Sequence, residues 1–234
     1  MIDFGGWEMP VHYTSIIKEH NSVRNNAGLF DVSHMGEIRM KGEEALDNLQ
    51  YVVTNDMSKL DVGKVVYTVM CNPSGGIKDD FLVYKTAEDE YLLIVNASNI
   101  EKDFNWIKDN TEGKVEVENL SSEYGLLALQ GPESENILEG LTNIDLSEIK
   151  YYQFAETTLS GKEVLISRTG YTGETGFELY FDSEDSEHFW NEIMKNGKEY
   201  GLKAVGLGAR NTQRIEKKLC LYGNDIDEES NPFE

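Results

Sequence analysis

The chain has 234 residues and a formal net charge of −22, from 43 acidic against 21 basic side chains, which argues against nucleic acid or an anionic membrane as partner. Its 39% hydrophobic and 10% aromatic content supports a buried core, in one large domain or two modest ones. No apolar run approaches the ~18 residues of a membrane helix. Met1-Ile2-Asp3-Phe4-Gly5-Gly6-Trp7 has neither the basic nor the long apolar region of a signal peptide. Cys71 and Cys220 form no CxxC pair and there are four histidines, so no metal is expected and a reduced, cytoplasmic setting fits.

In chain order, Thr14 to Ala27 reads as a helix, with Ile16, Ile17, His20 and Val23 on one stripe and Gly28 as its stop. A short helix over Glu43–Leu49 follows, then strands at Val65–Met70, Ile77–Tyr84 and Tyr91–Val95. Asn96-Ala97-Ser98 can cap a helix carrying Ile100, Phe104 and Ile107. Strand patterns at Val115–Val117 and Tyr124–Leu129 precede a helix opened by Gln130-Gly131-Pro132-Glu133, with proline in its first turn. Strands resume at Tyr152–Leu159, Glu163–Ser167 and Phe177–Phe181. A helix rich in Phe189, Trp190, Ile193 and Met194 comes next, and the last helix opens near Leu207. Strand groups separated by single helices predict an α+β fold with antiparallel sheets rather than a doubly wound one.

The segment Asn72-Pro73-Ser74-Gly75-Gly76-Ile77-Lys78-Asp79-Asp80 carries the first candidate chemistry. Gly75 and Gly76 are expected to supply positive φ for a turn. Side chains alternate along the strand that follows, so Asp80 shares a face with Leu82 and Tyr84, and Asp79 with Phe81 and Val83. One acid therefore lies over an apolar surface, where ionisation is costly; the alternative is that both cap the turn and face water.

Three of the five arginines, Arg168, Arg210 and Arg214, fall late and are candidates for an anionic ligand in an otherwise acidic chain. Gly206-Leu207-Gly208-Ala209-Arg210 opens a helix where backbone N–H groups and Arg210 could meet an anion, or where the glycines allow close packing. Gly170-Tyr171-Thr172-Gly173-Glu174-Thr175-Gly176 lacks the Gly-Lys-Ser/Thr ending of a phosphate loop and reads as a tight hairpin, with Tyr171 near its tip. His34 has Ser33 and Asp31 beside it, but sequence proximity does not make a triad. His12 and His20 read as ordinary helix or loop residues.

Taken together, several segments resemble the T-protein, the aminomethyltransferase family of the glycine cleavage system. They are Phe4-Gly5-Gly6-Trp7-Glu8-Met9-Pro10, Gly28 to Glu37, Met70 to Asp80, Val95-Asn96-Ala97, Leu129-Gln130-Gly131-Pro132, Arg168 to Glu178, Gly206 to Arg210, Leu221-Tyr222-Gly223 and Asn231-Pro232-Phe233-Glu234. The likeness runs the whole length of the chain, and the series in this order is far more specific than any one member.

The resemblance implies transfer of the aminomethyl group on the lipoyl arm of H-protein, with tetrahydrofolate as co-substrate taking the one-carbon unit and ammonia leaving. It implies a folate-binding fold of two related subdomains, residues 1–34 plus 120–234 and residues 35–119, followed in the family by a β-barrel domain that this sequence lacks, as a C-terminally truncated member would. By motif matching, Asp80 is the catalytic acid, Glu178 the pterin-binding glutamate and Arg210 the folate-binding arginine. Tyr67, Asn96, Tyr151 and Tyr171 line the pterin and aminobenzoate region.

Those residue types suit the chemistry. A carboxylate accepts two N–H bonds from an amino-pyrimidine edge, arginine offers a planar fork, and tyrosines offer flat faces with a polar edge. Asp80 would orient the folate and stabilise positive charge on the transferred carbon first, and act as a base second, because an ordinary aspartate of pKa about 3.9 is a weak base at neutral pH. The sequence departs from the family pattern at Asn211, Gln213, Lys217 and Lys218, near Arg210. The folate portion of a dimethylglycine or sarcosine oxidising enzyme, and a non-catalytic folate-binding fragment, are the alternative readings.

Overall fold

A computed structural model describes residues 1–233. In chain order the elements are β1 (Ile2–Phe4), β2 (Trp7–Met9), α1 (Ile16–Asn25), β3 (Gly28–Asp31), β4 (Gly36–Lys41), α2 (Ala45–Val52), β5 (Val65–Cys71), β6 (Ile77–Ala87), β7 (Glu90–Val95), α3 (Ile100–Asp109), β8 (Glu116–Asn119), β9 (Tyr124–Gln130), α4 (Ser134–Glu139), β10 (Phe154–Leu159), β11 (Lys162–Ser167), β12 (Gly176–Asp182), α5 (Ser186–Asn196), β13 (Lys203–Ala204) and α6 (Leu207–Glu216). The α+β class expected from the alternation of patterns holds. Among the described residues no helix is long and apolar enough to cross a membrane.

The chain divides into two compact units, Met1–His34 with Glu123–Leu219, and Met35–Ser122 with Cys220–Glu234. The tail after Leu219 thus groups with the second unit, whereas the resemblance implies a place for it with the first. The reason is local hydrogen bonding. Ile77 N–H, at the head of β6, donates to the carbonyls of Asp227 (3.1 Å) and Ser230 (3.0 Å).

In the first unit six strands run β10-β11-β12-β9-β3-β13. All pairs are antiparallel except β3 with β13, where Lys203 pairs with Gly28 and Ala204 with Leu29. β9 and β12 are buried on both faces, as central strands are. Leu127, Leu129, Phe177 and Leu179 pack with Phe189 and Ile193 of α5. From the sequence, Gly28 is expected only to stop a helix. It also begins a strand, and a Cβ there would lie 2.4 Å from Val23 Cγ2, so the glycine lets strand and helix approach closely.

The second unit is an antiparallel sheet, β5-β6-β7-β4-β8. Ile38, Met40, Phe81, Val83, Leu93 and Val95 form its core with Leu49 of α2 and Ile107 of α3. The turn before β6 is organised by Asn72, whose Oδ1 accepts from Ser74 N (2.9 Å) and Gly76 N (3.0 Å). Gly75 has φ +91°, as a turn requires. Gly76 is needed for a different reason than expected. It does not adopt positive φ, but a Cβ there would come 1.8 Å from the carbonyl oxygen of Glu228, so only glycine lets the tail lie against the turn.

The segment after β7 corrects another expectation. Residues Ala97–Asn99 form one 3₁₀ turn before α3, and neither Asn96 nor Asn99 makes a side-chain cap. Their amides are directed elsewhere, to the Asp79–Asp80 pair.

Candidate functional site

In the second unit, strand alternation separates the two acids as the sequence predicts. Asp79 is fully buried on the core face, while Asp80 is partly buried on the other. Asp80 stands opposite Val69, and Tyr67 opposite Leu82, so Tyr67 is the diagonal neighbour of Asp80 on one sheet face. The Tyr67 hydroxyl donates to Asp80 Oδ2 at 2.9 Å. Asn96, just past the end of β7, reaches both acids. Its backbone N–H donates to Asp79 Oδ2 (3.1 Å), and its Nδ2 lies 2.8 Å from Asp79 Oδ1 and 3.2 Å from Asp80 Oδ1. Asn99 Nδ2 adds a further bond to Asp79 Oδ1 at 2.8 Å.

This arrangement changes the chemistry expected of Asp80. Burial, and then the charge of Asp79, push its pKa up to about 6, against the bonds from Tyr67 and Asn96 that pull it down. A carboxylate with that value is still mainly ionised at neutral pH, yet is a far better proton acceptor than an ordinary aspartate. Electrostatic stabilisation and base action are therefore both open to it.

In the first unit, Glu178 lies on the central strand β12, buried and paired with Ala128 and Ser167 across the sheet. The Thr169 hydroxyl donates to Glu178 Oε2. Burial pushes the Glu178 pKa up, opposed by the Thr169 bond and the charge of Arg210. The Arg210 guanidinium lies 4.6 Å from the Tyr171 ring centre, a cation–π contact that fixes both groups. Arg210 thus contacts Tyr171 and acts through its charge on Glu178. Tyr151 is 70% exposed, with its ring edge-on to Tyr152 at 4.7 Å. Tyr152, in the left-handed region at φ +61°, is the one whose hydroxyl is influenced by Glu178, and burial raises its pKa to about 12. The Tyr151-Tyr152 doublet is visible in the sequence, but which ring turns inward depends on that backbone conformation.

Several candidates resolve to structural roles. Arg168 pairs with Glu135 (2.7 Å), bonds the carbonyls of Ile149 and Leu146, and covers the Phe177 ring. Arg214 is buried and bonds Asn211 Oδ1 (2.8 Å) and the Leu219 carbonyl (3.2 Å), which gives Asn211 a structural use. Gln213 is buried and bonds the His20 carbonyl, and Lys217 covers Gly173.

The first N–H groups of α6 do not await an anion. Gly206 donates to the buried Glu19 carboxylate (3.0 Å), Leu207 to the Pro10 carbonyl (3.0 Å) and Gly208 to the Val11 carbonyl (2.8 Å). Close packing is the correct reading of those glycines, and Arg210, on the first turn of the helix, acts on Glu178 through its charge. The 170–176 segment joins two paired strands, β11 and β12, as an eight-residue connection rather than a tight turn. Thr172 Oγ1 anchors it to Gln130 Oε1 at 2.8 Å. His34 is buried edge-on to Phe4, its pKa pushed down to about 3 by burial and by Arg210, and Ser33 Oγ bonds the Leu126 carbonyl, so no triad forms.

Sequence reasoning missed Asn99 and Asp103. Asn96, Asn99 and Asp103 are spaced three and four apart, the interval that sets side chains on one face of a helical turn. That signal lies beside the apolar stripe of Ile100, Phe104 and Ile107 that marks the helix.

Comparison with known proteins agrees with the motifs. The family model described as the GCVT N-terminal domain matches residues 1–234. An aminomethyltransferase of Halothermothrix orenii is 56% identical over the whole chain, and one of Bacillus subtilis 51%. The chain spans 66% and 65% of those proteins, slightly under two thirds of their length. Among solved structures, the glycine cleavage system aminomethyltransferase T from Bartonella henselae superposes with a TM-score of 0.90 at 34% identity, over 98% of this chain and 62% of that one. A heterotetrameric sarcosine oxidase from Corynebacterium shares the fold, with a TM-score of 0.59 at 17% identity over 81% of this chain and 94% of that one. With every matched segment in order and the whole length covered, the chain belongs to the GCVT N-terminal domain family.

Proposed function

We propose that this chain is the folate-handling part of an aminomethyltransferase of the glycine cleavage system. Its substrates are tetrahydrofolate and the aminomethyl group on the lipoyl arm of H-protein, and it requires no metal. The identity of 50–56% to curated aminomethyltransferases over the whole chain supports the reaction class. The single observation that carries the site is Asp80, held by Tyr67 and Asn96 beside a second carboxylate, with a pKa pushed up to about 6.

When bound, tetrahydrofolate supplies the nitrogen that takes up the one-carbon unit. Glu178 accepts N–H bonds from the pterin edge, and Arg210 donates to a carbonyl or carboxylate of the same molecule. Tyr171, fixed under Arg210, presents a flat face. Tyr67, Asn96 and Tyr151 are further folate-binding residues in this reading. Asp80 holds the acceptor in line and stabilises positive charge on the transferred carbon as the amine departs. Its raised proton affinity also lets it accept a proton at Oδ1 or Oδ2. The two compact units, Met1–His34 with Glu123–Leu219 and Met35–Ser122 with Cys220–Glu234, are in this reading the two folate-binding subdomains, and the setting is cytoplasmic.

The test is direct. Tetrahydrofolate is titrated into the chain, and methylenetetrahydrofolate and ammonia are assayed with aminomethylated H-protein and the full-length protein. Binding together with transfer supports the reading. Absence of tetrahydrofolate binding at millimolar concentration would reject it.

A further inference from the structure

Behind Asp80 lies a carboxyl that the proposed chemistry does not use. Asp103, on α3, is fully buried. Among the described residues no amide or hydroxyl donor reaches either of its oxygens. The Asp79 carboxyl is the neighbour that acts on its ionisation, both as a side-chain hydrogen-bonding group and through its charge. Lys102 Nζ is 3.9 Å from Asp103 Oδ1, but its hydrogen bonds go to the Lys78 carbonyl and the Tyr222 hydroxyl. Lys78, from β6, points its ammonium at the Trp106 ring and at Glu228. Two buried carboxyls in contact, with no other donor at Asp103, need a proton between them. Asp79 already accepts from Asn96 N, Asn96 Nδ2 and Asn99 Nδ2, the pattern of a carboxylate.

We infer that Asp103 is a positioning residue that carries this proton as a neutral acid, donates it to Asp79, and so fixes a single negative charge behind Asp80. The inference rests on the proposed role of Asp80, and deepens it. Asp79 and Asp103 on the core face, with Asn96 bridging to Asp80, form a relay of orientation: Asp103 sets Asp79, Asp79 and Asn96 set Asp80. A shared proton leaves one charge there rather than two, which keeps Asp80 mainly ionised at neutral pH. Burial raises the Asp103 carboxyl well above the carboxylate range, with the Asp79 bond and charge next and Lys102 and Lys78 opposing, in the same direction as the geometry.

The experiment is ¹³C NMR titration of aspartate carboxyl carbons in the chain, assigned with Asp79→Asn, Asp80→Asn and Asp103→Asn. The Asp103 carbon is expected to keep its acid-form shift from about pH 5 to pH 8, where ordinary aspartates are ionised. Asp103→Asn keeps a neutral donor toward Asp79, so the Asp80 midpoint should stay in place. Asp79→Asn removes a charge, so the Asp80 midpoint should fall by about one pH unit. An Asp103 carbon titrating near pH 4 overturns the inference, as does an Asp80 midpoint that falls in Asp103→Asn as it does in Asp79→Asn. The wild-type titration decides the matter even where a variant does not fold. Tetrahydrofolate binding, measured on the same sample, tests the functional reading separately.

Discussion

The two candidate carboxylates, Asp80 and Glu178, are both taken out of water, yet their neighbours differ in sign. Asp80 sits beside another acid, Asp79, and its pKa is driven up to about 6. Glu178 sits within the field of Arg210, which opposes the rise that burial causes. Burial alone thus makes a carboxyl reluctant to ionise, and the charge next to it decides whether it is poised to take a proton or held as a fixed acceptor. Local backbone divides the two in the same way. Asp80 stands next to a turn, flanked by the partly exposed Tyr67, whereas Glu178 is set in the centre of a six-stranded sheet. The former suits chemistry, the latter recognition.

The sharpest way to break this comparison is Asp80→Asn in the full-length enzyme. Turnover is expected to fall on the order of 10³-fold, in the range for removing a fixed transition-state charge, while tetrahydrofolate still binds. The same change should stabilise the fold. The raised Asp80 pKa means that its contribution to stability is present below the ordinary value of 3.8 and is lost as pH rises through about 6. At neutral pH the charged group therefore costs stability, and Asn should add about 1–3 kcal/mol there, with little gain at pH 3. Thermal melting at the two pH values checks this, and a pH-independent difference would contradict the origin assigned to it.

Glu178→Gln should instead act on affinity. The dissociation constant for tetrahydrofolate is expected to rise about 10–100-fold by calorimetry, with turnover at saturating folate much less affected. An unchanged constant would remove Glu178 from the binding role.

Gly76→Ala sharpens the comparison from the side of the fold. The added Cβ meets the Glu228 carbonyl at 1.8 Å, so the tail must shift away from the head of β6. A loss of about 1–3 kcal/mol and faster proteolysis after Leu219 are expected.

The smallest effect is that of Tyr67→Phe. Loss of a hydroxyl that holds Asp80 in its charged form should move the acid limb of the rate profile up by a few tenths of a pH unit. A shift to lower pH would mean that the hydroxyl acts on the acid form instead.

Much of this arrangement is written into local sequence. Strand alternation is enough to separate Asp79 from Asp80, because neighbouring side chains on an extended chain must point to opposite faces. A helix stripe and the Gly28 stop locate α1, and apolar stripes or opening residues mark α3, α5 and α6. The short strand β3 and the two-residue β13 are not legible, since neither has a repeat long enough to show a period, and their pairing is parallel across most of the chain. The capping expected of Asn96 fails for a related reason. Its sequence neighbourhood is that of a cap, but an acid pair seventeen and sixteen residues earlier competes for the same amide.

The sequence by itself determined the α+β class, the family, the face on which Asp80 lies and the residue types at the site, because periodicity and motif order are properties of the chain read locally. Tertiary structure decided which of three arginines stays with Glu178, that the α6 N–H groups are filled by Glu19, Pro10 and Val11, and that Asp103 stands behind Asp79. Each of those depends on desolvation and on partners distant in sequence, and a group's charge state follows from the partners that folding brings to it.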